Sequence, residues 1–364
     1  MLLLLLSTLS LVLPQPDLAP TQDGIAVLQK GRKRAAHEVP PTQLFDVLRV
    51  VDGDTIHIQR NGRRDKLRLL SVDTEEKLSE KPRLTGTKPE TVFGTETMHW
   101  AQDFFASLAQ GDEPAQVGLA FPGDEEKRDV YGRLLCHVML PDGTDFNLKL
   151  VREGWSPYFN KYGNSMICHE AFKEAQVQAR TKKIGIWNPA TNVPKTANTP
   201  SASRPYELLL PWWEARGEAV EHYRKWKKRA PLEVVATDDA DGLMLAYERC
   251  HKDPELTVTV FGTVTDRSWE DEGGGITILL RPYNMRDTKR GVRAVLTSEA
   301  SRQAINKALD IEGRDGDFMQ NYFYLTGKIE MGDHGLVMTA DDPSQWRLAG
   351  PEPLIPTAKP GTEQ

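Results

Sequence analysis

The chain has 364 residues, of which 39% are hydrophobic and 27% are charged, and its formal net charge is -6. This length accommodates two ordinary domains, each with its own core. The net charge excludes an overall basic field that would attract nucleic acid, so any binding of a polyanion depends on local Arg and Lys side chains. Three cysteines, Cys136, Cys168 and Cys250, are too few and too scattered for a disulfide framework or a zinc site. The sequence leaves two alternatives: one disulfide with a remaining free thiol, or three unpaired thiols.

The chain begins with an apolar run, MLLLLLSTLSLVLP. Its length is typical of a signal-peptide core and falls short of the roughly 20 residues that span a bilayer. We expect residues 1–20 to be a signal peptide, or otherwise a short apolar segment, and residues 21–42 to be a disordered tail. The predicted location is therefore secreted or periplasmic, without stable insertion into a membrane.

Residues 43–190 are predicted to form the first domain. Apolar alternation predicts a strand at 44–51 and a hairpin around Asn61-Gly62, where the dipeptide favours a tight turn. Further strands are predicted at 117–121 and 133–140, and helices at 95–110, between Gly143 and Gly154, and at 169–182. Five strands and three helices predict a β-rich α+β fold, a small five-stranded barrel with helices packed against it.

Residues 191–205 are rich in Pro, Thr, Ala and Asn and are predicted to be a linker. The second, smaller domain spans 206–350 and is β-rich after an aromatic helix that Pro211 opens, whose Trp and Tyr face we expect to pack in the core. A further helix, capped by Thr297 or Ser298, carries Ile305 and Leu309. Strands are predicted at 257–265, 276–280, 292–296, 322–329 and 336–339. This strand count allows an OB-like barrel that binds nucleic acid, while a protein-docking or structural module is equally open. Residues 351–364 are predicted to be a disordered tail.

Acidic residues stand at both ends of the hairpin segment 50–76. Asp52 and Asp54 precede it, and Asp73, Glu75 and Glu76 follow it. Because a hairpin folds back on itself, these carboxylates meet, and they repel one another unless a cation lies among them. A cation held by carboxylates, together with nearby arginines, forms a natural site for a phosphodiester. The alternative is a set of surface charges around turns.

Five segments, VVDGDTIHI, RLLSVDTEE, DVYGRLL, LVREGW and GIW, occur in an order and spacing that resembles the staphylococcal nuclease (thermonuclease) family. The resemblance covers roughly residues 44–187. It implies a five-stranded OB-type barrel with three helices. It also implies a phosphodiesterase or endonuclease that hydrolyses DNA and/or RNA, uses Ca²⁺ as its cofactor and leaves 3'-phosphate ends.

The resemblance also assigns the metal ligands. Asp54 and Asp73 match the carboxylates that bind Ca²⁺, and Thr74 matches the residue whose main-chain carbonyl joins them. Asp52 matches a nearby acidic residue that supports the site without touching the ion.

The same resemblance assigns the catalytic residues. Glu76 matches the glutamate that positions or deprotonates the attacking water, and Arg68 matches the arginine that binds the phosphate oxygens. Arg133 matches the arginine that stabilises the transition state and the leaving group. Tyr131 and Tyr158 resemble tyrosines that line the nucleotide pocket.

The chain departs from the family pattern at two positions. Glu75 stands where the family usually has proline. The glutamate adds a negative charge and frees the backbone. Val130 replaces a basic residue of the nucleotide pocket. We expect the protein to be a monomer. A second hypothesis for its function is a non-catalytic scaffold that uses the same barrel to bind nucleic acid or protein. The complete set of acids and arginines favours catalysis, because a pure binder does not need it.

Overall fold

A computed structural model describes residues 39–193 except 87 and 130, 202–268, 276–281, 291–298, 300, 301, 303, 322–333 and 335–349. The predicted signal peptide, most of the predicted N-terminal tail, the C-terminal tail, and the helix with Ile305 and Leu309 lie outside the described residues. Within the described part of the chain, none of the helices is long and apolar enough to cross a membrane. The three cysteines are buried and unpaired.

The first half of the chain contains a closed five-stranded barrel. Strands β1, β2, β3, β8 and β6 pair in that order around the ring, and β6 returns to β1. All pairs are antiparallel except β3 with β8. The prediction of a five-stranded OB-type barrel is confirmed. The strands are β1 (Phe45–Asp52), β2 (Thr55–Arg60), β3 (Arg63–Leu69), β4 (Glu76–Lys77), β5 (Glu90–Thr91), β6 (Gln116–Ala120), β7 (Lys127–Arg128) and β8 (Leu134–Met139).

The hairpin of β2 and β3 forms as its sequence predicts. Asn61 and Gly62 both have positive φ angles, 51° and 73°, which is the conformation that a two-residue turn between twisted strands requires. Ile56, Ile58 and Leu67 are fully buried in the barrel core. Their alternation with polar residues fixes the register of the hairpin and thereby the positions of its acidic ends.

Three helices cover this barrel: α1 (Val92–Leu108), α2 (Phe146–Arg152) and α3 (His169–Lys182). Each contributes an aromatic side chain to the barrel core, Phe105, Phe146 and Phe172 respectively. A stack of rings joins α1 to the segment after α2, because Trp100 lies 4.7 Å from Trp155 between ring centres. These contacts hold the first turn of α1 against the acidic end of the hairpin.

A second sheet follows the linker and repeats part of the first barrel's pairing. β10 pairs with both β11 and β13, and β12 pairs in parallel with β15, as β3 does with β8. The pairings among the described residues do not close this sheet into a ring. The second part of the chain is β-rich, as the sequence predicts, and the OB-like interpretation stays a prediction. The strands are β9 (Val234–Ala236), β10 (Val258–Ser268), β11 (Ile276–Arg281), β12 (Val292–Leu296), β13 (Tyr322–Gly327), β14 (Glu330–Gly332), β15 (Gly335–Thr339) and β16 (Trp346–Leu348).

Two helices accompany the second sheet, α4 (Tyr206–Arg229) and α5 (Ala240–Lys252). The prediction that Pro211 opens α4 is wrong, because the helix begins at Tyr206, and α5 and β9 were not predicted. Pro211 lies inside α4 because the residues before it continue the apolar face, where Leu209 is 1% exposed. The predicted packing of the aromatic face is confirmed, since Tyr223 stacks on Phe261 at 4.5 Å between ring centres.

Candidate active site

The acidic ends of the hairpin meet, as their spacing predicts. Asp54 lies in the turn between β1 and β2, and its Oδ2 accepts a 3.1 Å hydrogen bond from the Thr74 amide. Ser71 takes a left-handed φ of 64° after β3, which redirects the chain so that Asp73 returns toward the strand. Gly53 permits this approach, because a Cβ there would lie 2.6 Å from Cγ2 of Thr74. Asp54 and Asp73 are each 4% exposed.

Arg68 lies between these two carboxylates. Its Nη1 contacts Oδ1 of Asp54, and its Nη2 lies 2.8 Å from Oδ1 of Asp73. Residues 68 and 73 share a strand face only when the strand between them is interrupted. The sequence alone therefore does not determine the direction of the Arg68 side chain. The turn at Ser71 supplies that interruption. The guanidinium therefore neutralises both aspartates from one position.

Two further cations reach Asp73, and neither was predicted from the sequence. Lys88 lies in the polar segment between β4 and β5, and its Nζ is 2.9 Å from Oδ1 of Asp73. Arg204 lies at the end of the predicted linker, and its Nη2 contacts Oδ2 of Asp73. Burial alone would raise the pKa of Asp73, but the charges of Lys88, Arg204 and Arg68 outweigh it and hold the pKa well below its usual value.

Burial and neighbouring charges shift the pKa values of the other two aspartates in opposite directions. Burial first, and then the charge of Asp54, raise the pKa of Asp52 to about 7. Burial also opposes ionisation of Asp54, but the Arg68 charge outweighs it and lowers the pKa of that carboxyl. Carboxylate oxygens are ligands of hard divalent cations. The donor chemistry of Asp54 and Asp73 therefore suits a divalent ion, and Asp52 supports Asp54 by accepting its amide hydrogen bond at 3.2 Å.

Glu75 and Glu76 have opposite surroundings. Glu75 is 3% exposed, and its Oε1 accepts a 3.1 Å hydrogen bond from the Tyr206 hydroxyl. Its Oε2 accepts hydrogen bonds from Thr91 Oγ1 and Asn192 Nδ2. Glu76, in β4, has a side chain that is 41% exposed and faces the solvent side of the cluster. Of the two carboxylates, only that of Glu76 is open to solvent.

The second arginine lies on the neighbouring strand. β3 and β8 pair in parallel with Leu67 opposite Leu134, so Arg133, which directly precedes β8, lies beside the strand that carries Arg68. Its Nε donates a 2.7 Å hydrogen bond to Oδ2 of Asp129. Its guanidinium also lies 5.4 Å from the ring centre of Tyr131, which is 62% exposed. Tyr131 is thus open to solvent, whereas the Arg133 side chain is 26% exposed, and position 130 lies outside the described residues.

Tyr158 requires a correction. The resemblance to the family predicts Tyr158 in the nucleotide pocket, but its side chain is 3% exposed and stacks on Phe172 at 5.0 Å between ring centres. Its hydroxyl accepts a hydrogen bond from the Ser165 amide and bonds Nδ1 of His169. The register after Gly154 directs this ring into the core. Tyr158 therefore supports α3 and does not contact substrate in this structure.

A second group of side chains has metal-ligand composition. The ligand atoms of His137, Asp145 and Cys168 lie within 4.8 Å of one another, and all three residues are buried. However, Asp145 caps α2 by accepting a hydrogen bond from the Leu148 amide, and its other oxygen bonds Nδ1 of His137 at 2.7 Å. We interpret this group as a structural hydrogen-bond network.

Comparison with known proteins matches the same region. The sequence profile of the family described as staphylococcal nuclease homologue matches residues 66–189. A thermonuclease of Staphylococcus hyicus is 34% identical over 146 residues, which is 40% of this chain and 76% of that protein. An uncharacterised endonuclease of Escherichia coli O157:H7 is 29% identical over 148 residues, 41% of this chain and 79% of that protein. An uncharacterised protein of Methanocaldococcus jannaschii is 28% identical over 160 residues, 40% of this chain and 72% of that protein. The chain belongs to the staphylococcal nuclease family.

Proposed function

We propose that this chain is a calcium-dependent nuclease that hydrolyses phosphodiester bonds of DNA and/or RNA and leaves 3'-phosphate ends. Family membership makes it a nuclease, a hydrolase that acts on ester bonds. The observation that carries the finer proposal is the bridge of Arg68 between Asp54 and Asp73. It brings two buried carboxylates and a phosphate-binding side chain to one point.

The proposed metal site uses the donors described above. Asp54, Asp73 and the Thr74 carbonyl would hold the ion, which supplies positive charge next to the phosphate oxygen that becomes more negative in the transition state. Arg68 now bonds both carboxylates. A guanidinium binds phosphate oxygens as it binds carboxylates, through two parallel hydrogen bonds, so Arg68 would bind the phosphate of the substrate beside the two aspartates.

The remaining steps belong to side chains at the exposed edge of the cluster. Glu76 accepts a proton from water, whose oxygen attacks phosphorus while the bond from phosphorus to the 5'-oxygen breaks. Arg133, held by Asp129 at 2.7 Å, stabilises the negative charge on the equatorial oxygens and on the leaving oxygen. The leaving 5'-oxygen takes a proton from solvent water, Glu76 returns its proton to the solvent, and the phosphate remains on the 3'-oxygen of the preceding nucleotide. Tyr131 provides an exposed ring on which a base can stack.

Digestion by the purified chain tests the proposal. Single-stranded DNA, double-stranded DNA and RNA are incubated with Ca²⁺, with Mg²⁺ or with EDTA, and the product ends are analysed. We expect cleavage with Ca²⁺, loss of cleavage with EDTA, and products that a 3'-phosphatase converts to 3'-hydroxyl ends. Products with 5'-phosphate and 3'-hydroxyl ends would contradict the proposed bond cleavage. Binding of nucleic acid without cleavage under every condition would favour the scaffold hypothesis.

We also propose export to a secreted or periplasmic location. The support is the apolar run at residues 2–13. Expression of the full chain, followed by fractionation and N-terminal sequencing, tests this. A product that stays in the cytoplasm with an intact N-terminus would contradict it.

A further inference from the structure

The end of the predicted linker and the start of α4 reach into the acidic cluster of the barrel. Arg204 Nη1 donates a 3.1 Å hydrogen bond to the main-chain oxygen of Asp73, and its Nη2 contacts Oδ2 of the same residue. Two residues later, the Tyr206 hydroxyl donates to Glu75. The family match ends at residue 189, before either side chain. We propose that Arg204 and Tyr206 are positioning residues of the nuclease site, which is therefore built from both parts of the chain. This inference deepens the proposed function and rests on it.

Arg204 is fixed before any ligand arrives. Its side chain is 5% exposed, and its guanidinium lies 5.0 Å from the ring centre of Trp213 in α4. Trp213 is itself 1% exposed and packs edge-on against Phe159 of the barrel. Burying an arginine is costly unless a partner satisfies its charge and donors. Asp73 supplies that partner through two different oxygens, so the guanidinium and the aspartate hold each other in one orientation.

The two carboxylate oxygens of Asp73 have separate partners. Oδ2 contacts Arg204, whereas Oδ1 contacts Arg68 and Lys88 and faces the side where Asp54 lies. A carboxylate that binds a metal needs a partner on its other oxygen to fix its direction, and loss of such a partner typically costs metal affinity or activity. Arg204 has this position. It holds the far oxygen, Oδ2, and does not contact the near oxygen, Oδ1.

Tyr206 acts on the residues that follow Asp73, namely Thr74, Glu75 and Glu76. Glu75 lies between Thr74 and Glu76, where the family usually has a proline that would restrict the backbone. In this chain the buried Glu75 carboxylate accepts hydrogen bonds from Tyr206, Thr91 and Asn192. Thr91 also caps α1 by accepting the Gly94 amide. The anchored side chain thus restrains the backbone of residues 74–76, and Tyr206 contributes one of its three donors.

Substitutions in the full-length chain test the inference. Arg204→Met removes the charge and both donors, Arg204→Lys keeps the charge but cannot bond both oxygens of Asp73 at once, and Tyr206→Phe removes only the hydroxyl. Arg224→Met is the matched control, since Arg224 Nη1 donates to the main-chain oxygen of Asn164 across the same contact between α4 and the barrel. Calcium affinity is measured by isothermal titration calorimetry, cleavage by kcat and KM with single-stranded DNA, and folding by Tm without calcium.

We expect both Arg204 variants to bind calcium about 10- to 100-fold more weakly and to lose kcat by a similar factor, with KM for DNA nearly unchanged. Tyr206→Phe should lose about tenfold in kcat. Arg224→Met should retain wild-type calcium affinity and kcat even where its Tm falls. Partial recovery in Arg204→Lys relative to Arg204→Met would still support a positioning role, because the lysine keeps one bond to Asp73.

Two results would overturn the inference. One is unchanged calcium affinity and kcat in folded Arg204→Met and Tyr206→Phe. The other is tighter calcium binding by Arg204→Met, which would show that Arg204 competes with the ion. If the wild-type chain binds calcium but does not cleave DNA, the proposed function fails, while the titration still decides the role of Arg204. A wild-type chain that binds no calcium overturns both.

Discussion

The Nζ atom of Lys88 lies 2.6 Å from Oε1 of Glu76, the carboxylate that we expect to activate water. The same ammonium group approaches Asp73 through Oδ1, the oxygen that Arg68 also contacts. Burial would lower the pKa of Lys88, but the charges of Asp73, Asp54 and Glu76 outweigh it and raise the pKa. Lys88 therefore remains charged and shields the face of the cluster that a metal ion would approach. This position is opposite to that of Arg204 on Oδ2.

Lys88→Met should strengthen calcium binding. Calcium has to displace the ammonium from Asp73, so its removal should tighten the calcium affinity by about tenfold, measured by calorimetry. Tm without calcium should fall, because the carboxylates then repel one another more strongly. Lys77→Met is the control, since Lys77 is exposed and its Nζ lies 3.4 Å from the Val51 main-chain oxygen. Weaker calcium binding by Lys88→Met would show that the lysine supports the ion site.

Glu76→Gln should reduce kcat by about 10²- to 10⁴-fold, because an amide cannot accept the proton of the attacking water. The side chain is 41% exposed, so the substitution should leave Tm close to that of the wild type. Single-turnover cleavage of labelled DNA measures the effect on the chemical step. Glu80→Gln, in the neighbouring exposed loop, is the control. A Glu76→Gln variant with wild-type turnover would remove Glu76 from the proposed mechanism.

Arg133→Ala should reduce kcat by about 10²- to 10³-fold, because the guanidinium acts on charge that develops in the transition state. KM should change less than kcat, since this interaction is weak in the ground state. Arg64→Ala is the control, an exposed arginine on β3. The double variant Arg133→Ala/Glu76→Ala is the strongest test of the assignment, and full DNA cleavage by it would contradict the nuclease mechanism.

The local part of the site was predictable from sequence, and the long-range part was not. Asp54 and Asp73 meet because a tight turn at Asn61-Gly62 and an alternating pattern determine a hairpin. Lys88 and Arg204 gave no comparable signal, since their contacts with Asp73 depend on how a polar loop and the end of the predicted linker pack against the barrel. Motif spacing did not predict the position of Tyr158, because a shift of register after Gly154 determines whether its side chain lies in the core or at the surface. The helix Ala240–Lys252 was also not predicted, although Leu243 and Ala246 mark its buried face.

Gly94→Ala should destabilise the protein although alanine favours helices by about 1 kcal/mol over glycine. Gly94 lies in the first turn of α1, and a Cβ there would be 2.1 Å from the main-chain oxygen of Glu76. The helix or the strand β4 must therefore move, and the Glu76 carboxylate moves with it. We expect a lower Tm together with a loss of kcat. Ser107→Ala, on an exposed position of the same helix, controls for helix propensity. A more stable and fully active Gly94→Ala variant would contradict this close approach.

The pair of Asp65 and Arg128 predicts a pH dependence of stability in the barrel. Arg128 donates two 2.7 Å hydrogen bonds to the Asp65 carboxylate, and its side chain is 38% exposed. These hydrogen bonds, opposed by burial, lower the pKa of Asp65 below its usual value of 3.8. Because the pKa is lower in the folded state, the stabilisation is fully present above the unfolded value. It is lost as the pH falls through the folded value.

Asp65→Asn should therefore lower the free energy of unfolding by about 1 kcal/mol at pH 7, a modest value because solvent screens the exposed guanidinium. The difference between the wild type and the variant should shrink as the pH falls below the unfolded value of 3.8, because the wild-type carboxyl becomes protonated and loses its charge as the pH passes through its lower folded value. Urea unfolding followed by tryptophan fluorescence measures both quantities, and Asp103→Asn, an exposed aspartate on α1, is the control. A difference that stays constant or grows at acidic pH would show that the Asp65 charge does not stabilise the barrel.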